Sequence, residues 1–268
     1  MQPDTVKHLG GRVLSGESTL ERLRDLILRP HVQRGTLRTL KDGTKTSERA
    51  IAEELQVSRT PVREALAVLE QLAIVEQTPQ VGVAVRQISI EEVEGVLQIR
   101  EGIETSAVKR LARSADRDNA IAELGLAVER MKGLRQDIYA FMEADTSFHC
   151  SIIRLSGLGP HVGIMQSLRD RIHLHRLQQQ DGLPKNGEIS DIVEEHSRMV
   201  GSLRAGPREA VEAIEEHLAN TLERLRHLSK SQPFAQADSP VMGASGTQEE
   251  VDKSPSKGSP KKVAAATA

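Results

Sequence analysis

A chain of 268 residues with three Phe, one Tyr and no Trp has to build its core from aliphatic side chains. Aromatic and β-branched residues suit the half-buried faces of sheets, whereas Leu and Ala favour helices. The expected fold is therefore mainly α, with Leu, Ile, Val and Ala at helical spacing, and the length suits two domains. Cys150 is the single cysteine, which excludes an internal disulfide framework and fits a reducing compartment. Met1 to Leu14 lacks the apolar stretch of a signal peptide, and nowhere is there a run of about 18 apolar residues able to span a bilayer. The expected location is the cytoplasm, without membrane insertion. A formal net charge of −2 means that any nucleic-acid-binding face must be local. Arginine and lysine do recur between Arg22 and Arg63, while much of the acid lies from Glu91 onward.

Residues 1–16, with Gly10, Gly11 and Gly16 and no sustained repeat, read as a flexible arm. Residues 17–86 read as a winged helix-turn-helix domain. Leu20, Leu23 and Ile27 share a helical face that ends before Pro30; after a polar stretch to Thr46, Ser47 opens a second helix with Ile51 and Leu55 on one side. Gln56, Val57 and Ser58 break the pattern. Thr60 and Pro61 restart it, because Pro is tolerated in a first turn and the hydroxyl of Ser58 or Thr60 can cap it; Val62, Leu66 and Leu69 form the buried stripe. The period then changes to two: Ile74–Gln77 and Val81–Val85, on either side of a turn at Pro79-Gln80, form a β-hairpin wing.

Ser89, with Glu92 three residues on, is a capping box that launches an all-helical region, residues 89–229. Helices are expected near 90–113, 117–134, 138–155, 160–180, 189–204 and 207–229, separated by Asp116, Gly157 and Gly159, the Gly182, Pro184, Gly187 stretch, and Gly206-Pro207. Six antiparallel helices make a bundle. Residues 230–268 turn to Pro, Ser, Gly, Ala and Lys without apolar periodicity and are expected to be a disordered tail, whose basic run from Lys253 to Lys262 is either solvated or touches DNA.

The layout of Ser47 to Leu66, helix, tight turn, helix, is that of motifs whose second helix enters a major groove. Arg59 and Arg63 are stacked opposite Val62 and Leu66, where they are either a solvated helix face or a pair of guanidiniums able to read guanine edges. Arg49 and the groups around Ser58 and Thr60 can hold phosphates, helped by the helix N-terminus, and Gly82, free of a side chain, lets the wing lie against the minor groove. The run from Ser47-Glu48-Arg49 through Val57-Ser58-Arg59-Thr60-Pro61-Val62-Arg63-Glu64-Ala65-Leu66, followed by a winged hairpin, resembles the GntR family of bacterial regulators. The resemblance implies a DNA-binding head. Leu37 to Lys45 departs from the compact Pro-Gly loop expected there.

In the second region, Phe141, Phe148 and Ile152 mark an apolar face from which Asp145 and His149 also project. His196 falls on the face of Ile189, Val193, Val200 and Leu203, and His217 lies beside Ile214 and Thr221. Burying an unpaired carboxylate costs several kcal/mol, so such groups need partners. One Asp oxygen and three imidazoles together suit a divalent metal ion, Zn, Ni, Mn or Fe, with positions left for water or a ligand; taken singly, each His also reads as a satisfied core residue. Arg100 sits on the stripe of Val93, Val96, Ile103, Ala107 and Leu111, where it either meets an anionic ligand or forms a salt bridge to Asp145 or another acid. Arg171 and His175 share a face with Ile164 and Leu168 and are further candidates to line a ligand site.

These residues, Arg100, Asp145 with Phe148-His149, Ser156-Gly157, Glu195-His196 and His217-Leu218, resemble the FCD effector domain of the FadR subfamily. Leu158 and Pro207 stand where that family often has Asn and Asp. The resemblance implies a metal that helps hold a small carboxylate metabolite, which Arg100 would clamp. The expectation is a homodimer that binds a palindromic double-stranded DNA operator, as a repressor relieved by its ligand. A metal-dependent hydrolase fused to a DNA-binding head, and a regulator in which the metal is structural or is itself the signal, are the alternatives. No general base or nucleophile stands beside the cluster, since Cys150 points elsewhere on its helix.

Overall fold

The computed structural model describes residues 18–29, 45–179 and 182–231. The expected flexible arm, most of the polar stretch before Thr46 and the tail beyond Ser231 lie outside the described residues.

The head opens with α1 (Thr19–Leu28), begun by a full capping box in which Ser18 Oγ accepts from Glu21 N and the Glu21 carboxylate accepts from Ser18 N. Ser47 Oγ accepts from Ala50 N to start α2 (Glu48–Leu55). Gln56, in the left-handed region at φ 56°, turns the chain into α3 (Arg59–Gln71). Ser58 stands at the N-cap but makes no side-chain cap bond, and Thr60 is already helical, so the expected hydroxyl cap is absent and the Ser58 hydroxyl faces solvent. Leu23, Ile51, Leu55, Val62, Leu66 and Leu69 close a small aliphatic core between these helices.

Strands β1 (Val75–Thr78) and β2 (Gly82–Val85) pair antiparallel, Val75 opposite Val85 and Thr78 opposite Gly82. Thr46 adds a third rung by exchanging two backbone hydrogen bonds with Val83, at 2.8 and 2.7 Å. This gives Gly82 a structural duty. Its φ is +129°, and a Cβ there would stand 2.3 Å from the Thr46 carbonyl oxygen, so only glycine fits.

The bundle comprises α4 (Ile90–Ala112), α5 (Arg117–Gly133), α6 (Ile138–Ile153), α7 (Val162–Leu177), α8 (Asn186–Ala205) and α9 (Pro207–Ser231). The six expected helices are present, with three adjustments. A π turn at Arg154–Leu158 and a 3-10 turn at Gly159–His161 join α6 to α7, with Gly157 at φ +82° absorbing the change of direction. Gly187, expected as a separator, lies inside the first turn of α8. The box at the start of α4 is half formed: Ser89 Oγ accepts from Glu92 N, but the Glu92 carboxylate is taken by Arg86 at 3.1 and 2.9 Å. α4 packs along α9, α8 bridges α9 and α5, and α6 lies against α5 and α7. Among the described residues no helix is long and apolar enough to cross a membrane.

Head and bundle are joined into one compact unit. Gln178 donates to Arg86 O at 2.6 Å and accepts from Ile88 N, and His175 Nδ1 donates to Ile88 O at 2.6 Å. From α1, Arg24 makes a two-pronged bond to Asp170 of α7 (2.7 and 2.5 Å), and Arg29 pairs with Glu143 of α6.

Candidate DNA-binding surface and metal centre

The α2–turn–α3 surface carries the candidate DNA contacts. The side chains of Arg59 and Arg63 are 61% and 65% exposed, and both approach the same oxygen of Glu48, at 3.6 and 3.4 Å. Arg49, 77% exposed, pairs with Glu53 one turn on at 2.8 Å. Exposed pairs of this kind contribute about 0–1 kcal/mol, so the guanidiniums are positioned yet free to change partner. Ser58 and Thr60 are exposed beside them at the start of α3. Gly82 sits in the wing, with its conformation set by Thr46.

The second constellation is internal. α6 contributes Asp145 and His149, α8 contributes His196 and α9 contributes His217, and all three imidazoles are buried. One nitrogen from each ring lies within 4.8 Å of the others. His149 Nε2 and His196 Nε2 are 3.3 Å apart, and Asp145 Oδ1 is 3.7 and 3.3 Å from them. The opposite nitrogens are tied back by carboxylates: His149 Nδ1 donates to Glu104 Oε2 at 2.6 Å and His217 Nδ1 to Glu195 Oε2 at 2.7 Å. A proton held on Nδ1 leaves the Nε2 lone pair pointing inward, the arrangement in which outer carboxylates orient metal-ligating histidines. The His196 ring is held by stacking on Phe148, with centroids 4.3 Å apart.

The electrostatics agree with neutral ligands. Burial lowers the pKa of His149 against the opposing pull of Glu104, lowers that of His196 well below the ordinary value with help from the two neighbouring rings, and brings His217 to about 4. Burial opposes ionisation of Glu195, but hydrogen bonds from His217 and Arg224 outweigh it and hold the acid at about 2. Glu104 is likewise held far below the carboxylate range, with Arg100 and His149 overcoming its burial.

Among the described residues, Asp145 Oδ1 and His217 Nε2 are buried acceptors without a hydrogen-bond partner. Each such group costs about 1–3 kcal/mol; a cation among the three imidazoles relieves His217 Nε2, and Asp145 Oδ1 lies beside two of those rings. The donor set thus fits a divalent metal ion. The other Asp145 oxygen is held by Arg169. Beside the cluster is a cavity of about 40 Å³ bounded by Asp145, Arg169, His217 and Arg224 together with Phe141 and Ile172.

Three candidates sit elsewhere than expected. Arg100 is fully buried and does not line this cavity; its Nε donates to Glu104 Oε1 at 2.9 Å, a salt bridge to Glu104 rather than Asp145, while its two Nη atoms have no hydrogen-bond partner among the described residues. Arg100 therefore backs the cluster through Glu104 and His149. Arg171 lies 3.9 Å from Glu92, and His175 bonds Ile88 O and accepts from Ser229 at 3.3 Å, which puts both toward the head–bundle joint rather than the histidines. Sequence reasoning missed Glu104 and Arg169, and named Glu195 beside His196 without giving it a role. Glu104 lies one turn from Arg100 on the same stripe, and Glu195 precedes His196; those spacings were the available signals.

The model of the family described as bacterial regulatory proteins, gntR family, matches residues 16–85, and that of the FCD domain matches residues 95–220. A probable D-xylose utilization operon transcriptional repressor of Paenarthrobacter nicotinovorans is 30% identical over 188 residues, 69% of this chain and 80% of its own. The HTH-type transcriptional repressor RspR of Escherichia coli (strain K12) is 26% identical over 69% of this chain and 81% of its own. In fold the chain resembles E. coli McbR/YncC, with TM-score 0.61 at 20% identity over 79% of this chain and 98% of that one. It also resembles a putative GntR transcriptional regulator from Rhodococcus sp. RHA1, with TM-score 0.60 at 20% identity over 78% and 95%. With a GntR head and an FCD domain matched in order, and a repressor of this kind aligned along most of both chains, the protein belongs to the GntR family of bacterial transcription regulators, in its FCD-domain branch.

Proposed function

We propose that the protein is a cytoplasmic homodimeric repressor that grips a palindromic operator through its head, residues 17–86, and that a small organic acid bound beside a metal ion in the bundle, residues 89–229, alters that grip. In this reading Arg59 and Arg63 meet base edges, Arg49, Ser58 and Thr60 meet phosphates, and Gly82 keeps the wing close enough to follow the groove. Asp145, His149, His196 and His217 hold the ion, a nitrogen-rich set that suits Zn, Ni, Mn or Fe. When bound, the metal supplies a Lewis-acid contact for a carboxylate oxygen of the ligand. Arg169, already beside Asp145 in the cavity wall, takes the remaining charge, and Arg100 stiffens the site from behind through Glu104.

The observation that carries this reading is the convergence of one nitrogen from each of His149, His196 and His217 within 4.8 Å, with His217 Nε2 and the neighbouring Asp145 Oδ1 buried and without a hydrogen-bond partner among the described residues. Membership of a family of DNA-binding regulators sets aside the hydrolase alternative. The test is the metal content of protein purified without added ions, followed by operator-shift titrations with metal and with small carboxylic acids separately. Near-stoichiometric metal, lost in His149→Ala and His217→Ala, is expected. Substoichiometric metal indifferent to both substitutions overturns it. The smallness of the cavity favours one variant, in which the metal is itself the signal; operator affinity that follows metal alone, whatever acid is added, would establish that variant.

A further inference from the structure

The three histidines are buried, so an ion that reaches them needs a route. Between α8 and α9 lies an open groove of about 740 Å³, and it shares one wall residue, Arg224, with the small cavity beside the cluster. His217, Thr221 and Arg224 follow one another along a single face of α9, leading from the ring to the groove. Arg224 lines both spaces and bonds both oxygens of Glu195, at 2.8 and 3.0 Å, and Thr221 Oγ1 at 3.3 Å. The same Glu195 carboxylate accepts from His217 Nδ1. One acid thus fastens both that arginine and a candidate ligand.

The groove outside is acidic. Asp191, Glu194 and Glu223 are exposed along it, Glu188 lies 3.7 Å from Arg224 Nε, and Arg198, the other guanidinium in the wall, pairs with Glu216 at 3.2 Å. A concave surface of one charge sign concentrates the opposite ion. The groove at the end of α4, by contrast, is lined by Lys109, Arg110 and Arg113 and repels a cation.

We infer that the α8–α9 groove is the loading route for a divalent cation bound by Asp145, His149, His196 and His217, and that Arg224 is its door. This rests on the metal reading above. A guanidinium cannot be deprotonated at neutral pH, so in place it bars a cation both sterically and by charge. Its long side chain is partly exposed and can swing into the groove, leaving Glu195 as the last carboxylate on the way to His217.

The test is kinetic. Metal-free protein takes up cobalt(II), whose visible absorption reports coordination, in a stopped-flow instrument; loaded protein is then challenged with EDTA. Arg224→Ala should speed uptake and release together, each by about tenfold, while the equilibrium affinity moves by less than about threefold, because a door changes rates in both directions. Arg224→Lys, which keeps the charge but cannot bridge two oxygens, should lie between it and the wild type, and it decides the matter should the alanine variant fail to fold. Neutralising the groove with Asp191→Asn and Glu194→Gln should slow uptake at low salt only, with release unchanged. Unchanged rates in both Arg224 variants overturn the door, and so does faster release alone with weakened affinity, which would make Arg224 a positioning residue for His217. Failure of wild-type protein to bind cobalt at equilibrium overturns the metal reading and the route with it, an outcome distinct from tight binding whose rates ignore position 224.

Discussion

The head and the bundle both set arginine against carboxylate, but on opposite terms. In the head, Arg59 and Arg63 share one oxygen of Glu48 at 3.4 Å or more, in water. In the bundle, Arg100 and Glu104 are sealed at 2.9 Å with no exposure at all, and Glu104 also holds His149. An exposed pair is a resting place that a better partner can empty, whereas a buried pair costs too much to break and so fixes the direction of whatever it touches. One protein thus uses the same chemistry for a surface that must exchange partners and for a site that must keep its shape.

Breaking the buried pair should have the largest effect. Glu104→Ala leaves the Arg100 charge buried without its partner and should lower the stability of metal-free protein by about 3–5 kcal/mol in urea unfolding. The exposed equivalent, Glu53→Ala beside Arg49, should change stability by no more than about 0.5 kcal/mol. Equal losses in the two variants would erase the distinction.

The head should answer in binding rather than in stability. Arg59→Ala and Arg63→Ala should each cost about 1–3 kcal/mol of specific operator affinity, and the double variant should lose specific binding while keeping its helical content. Operator affinity unchanged in fluorescence anisotropy would return these side chains to the role of a solvated face.

The same contrast explains what could be read from the sequence. Helices were legible because aliphatic residues repeat with the helical period, as Leu66 and Leu69 do on α3, and the cluster was legible because Asp145, His149 and His196 interrupt apolar stripes. Partners across the bundle were not. Glu104 and Glu195 resemble surface acids until α6 and α9 close over them, and Gly82 resembles any turn glycine until Thr46 arrives from a distant segment. The spacing of Leu168, Arg171 and His175 suits a stripe that faces a ligand, but Ile164 at its start is half exposed and its far end meets Ile88 at the joint. Periodicity identifies a buried face; it does not say which neighbour covers it.

His175 offers a smaller effect, tied to that joint. Burial keeps its pKa below the ordinary imidazole value, against the bond to Ile88, so the folded ring stays neutral over a range in which the unfolded one takes up a proton. The unfolded state then binds more protons, and stability falls as pH drops through the ordinary imidazole value towards the depressed folded one. The thermal midpoint of metal-free protein should therefore decline between about pH 7.5 and pH 5.5, and decline less in His175→Gln. An identical slope in the two proteins would remove His175 from the account.

The smallest change tests whether the exposed arginines are in truth loosely held. Glu48 lies at the start of α2, where its charge favours the helix N-terminus, and its carboxylate competes with DNA for Arg59 and Arg63. Glu48→Gln removes that competitor without removing the side chain. Stability should fall by no more than about 0.5 kcal/mol, because an exposed pair and one helix-end charge are all that is lost. DNA affinity should rise by a few fold, roughly 1 kcal/mol, on specific and unrelated sequences alike, since a carboxylate facing phosphates repels them whatever the bases, and the gain should shrink as salt is added. A gain confined to one sequence would instead mean that Glu48 sets how Arg59 and Arg63 meet base edges, and a loss would mean that it holds both guanidiniums in the pose DNA requires.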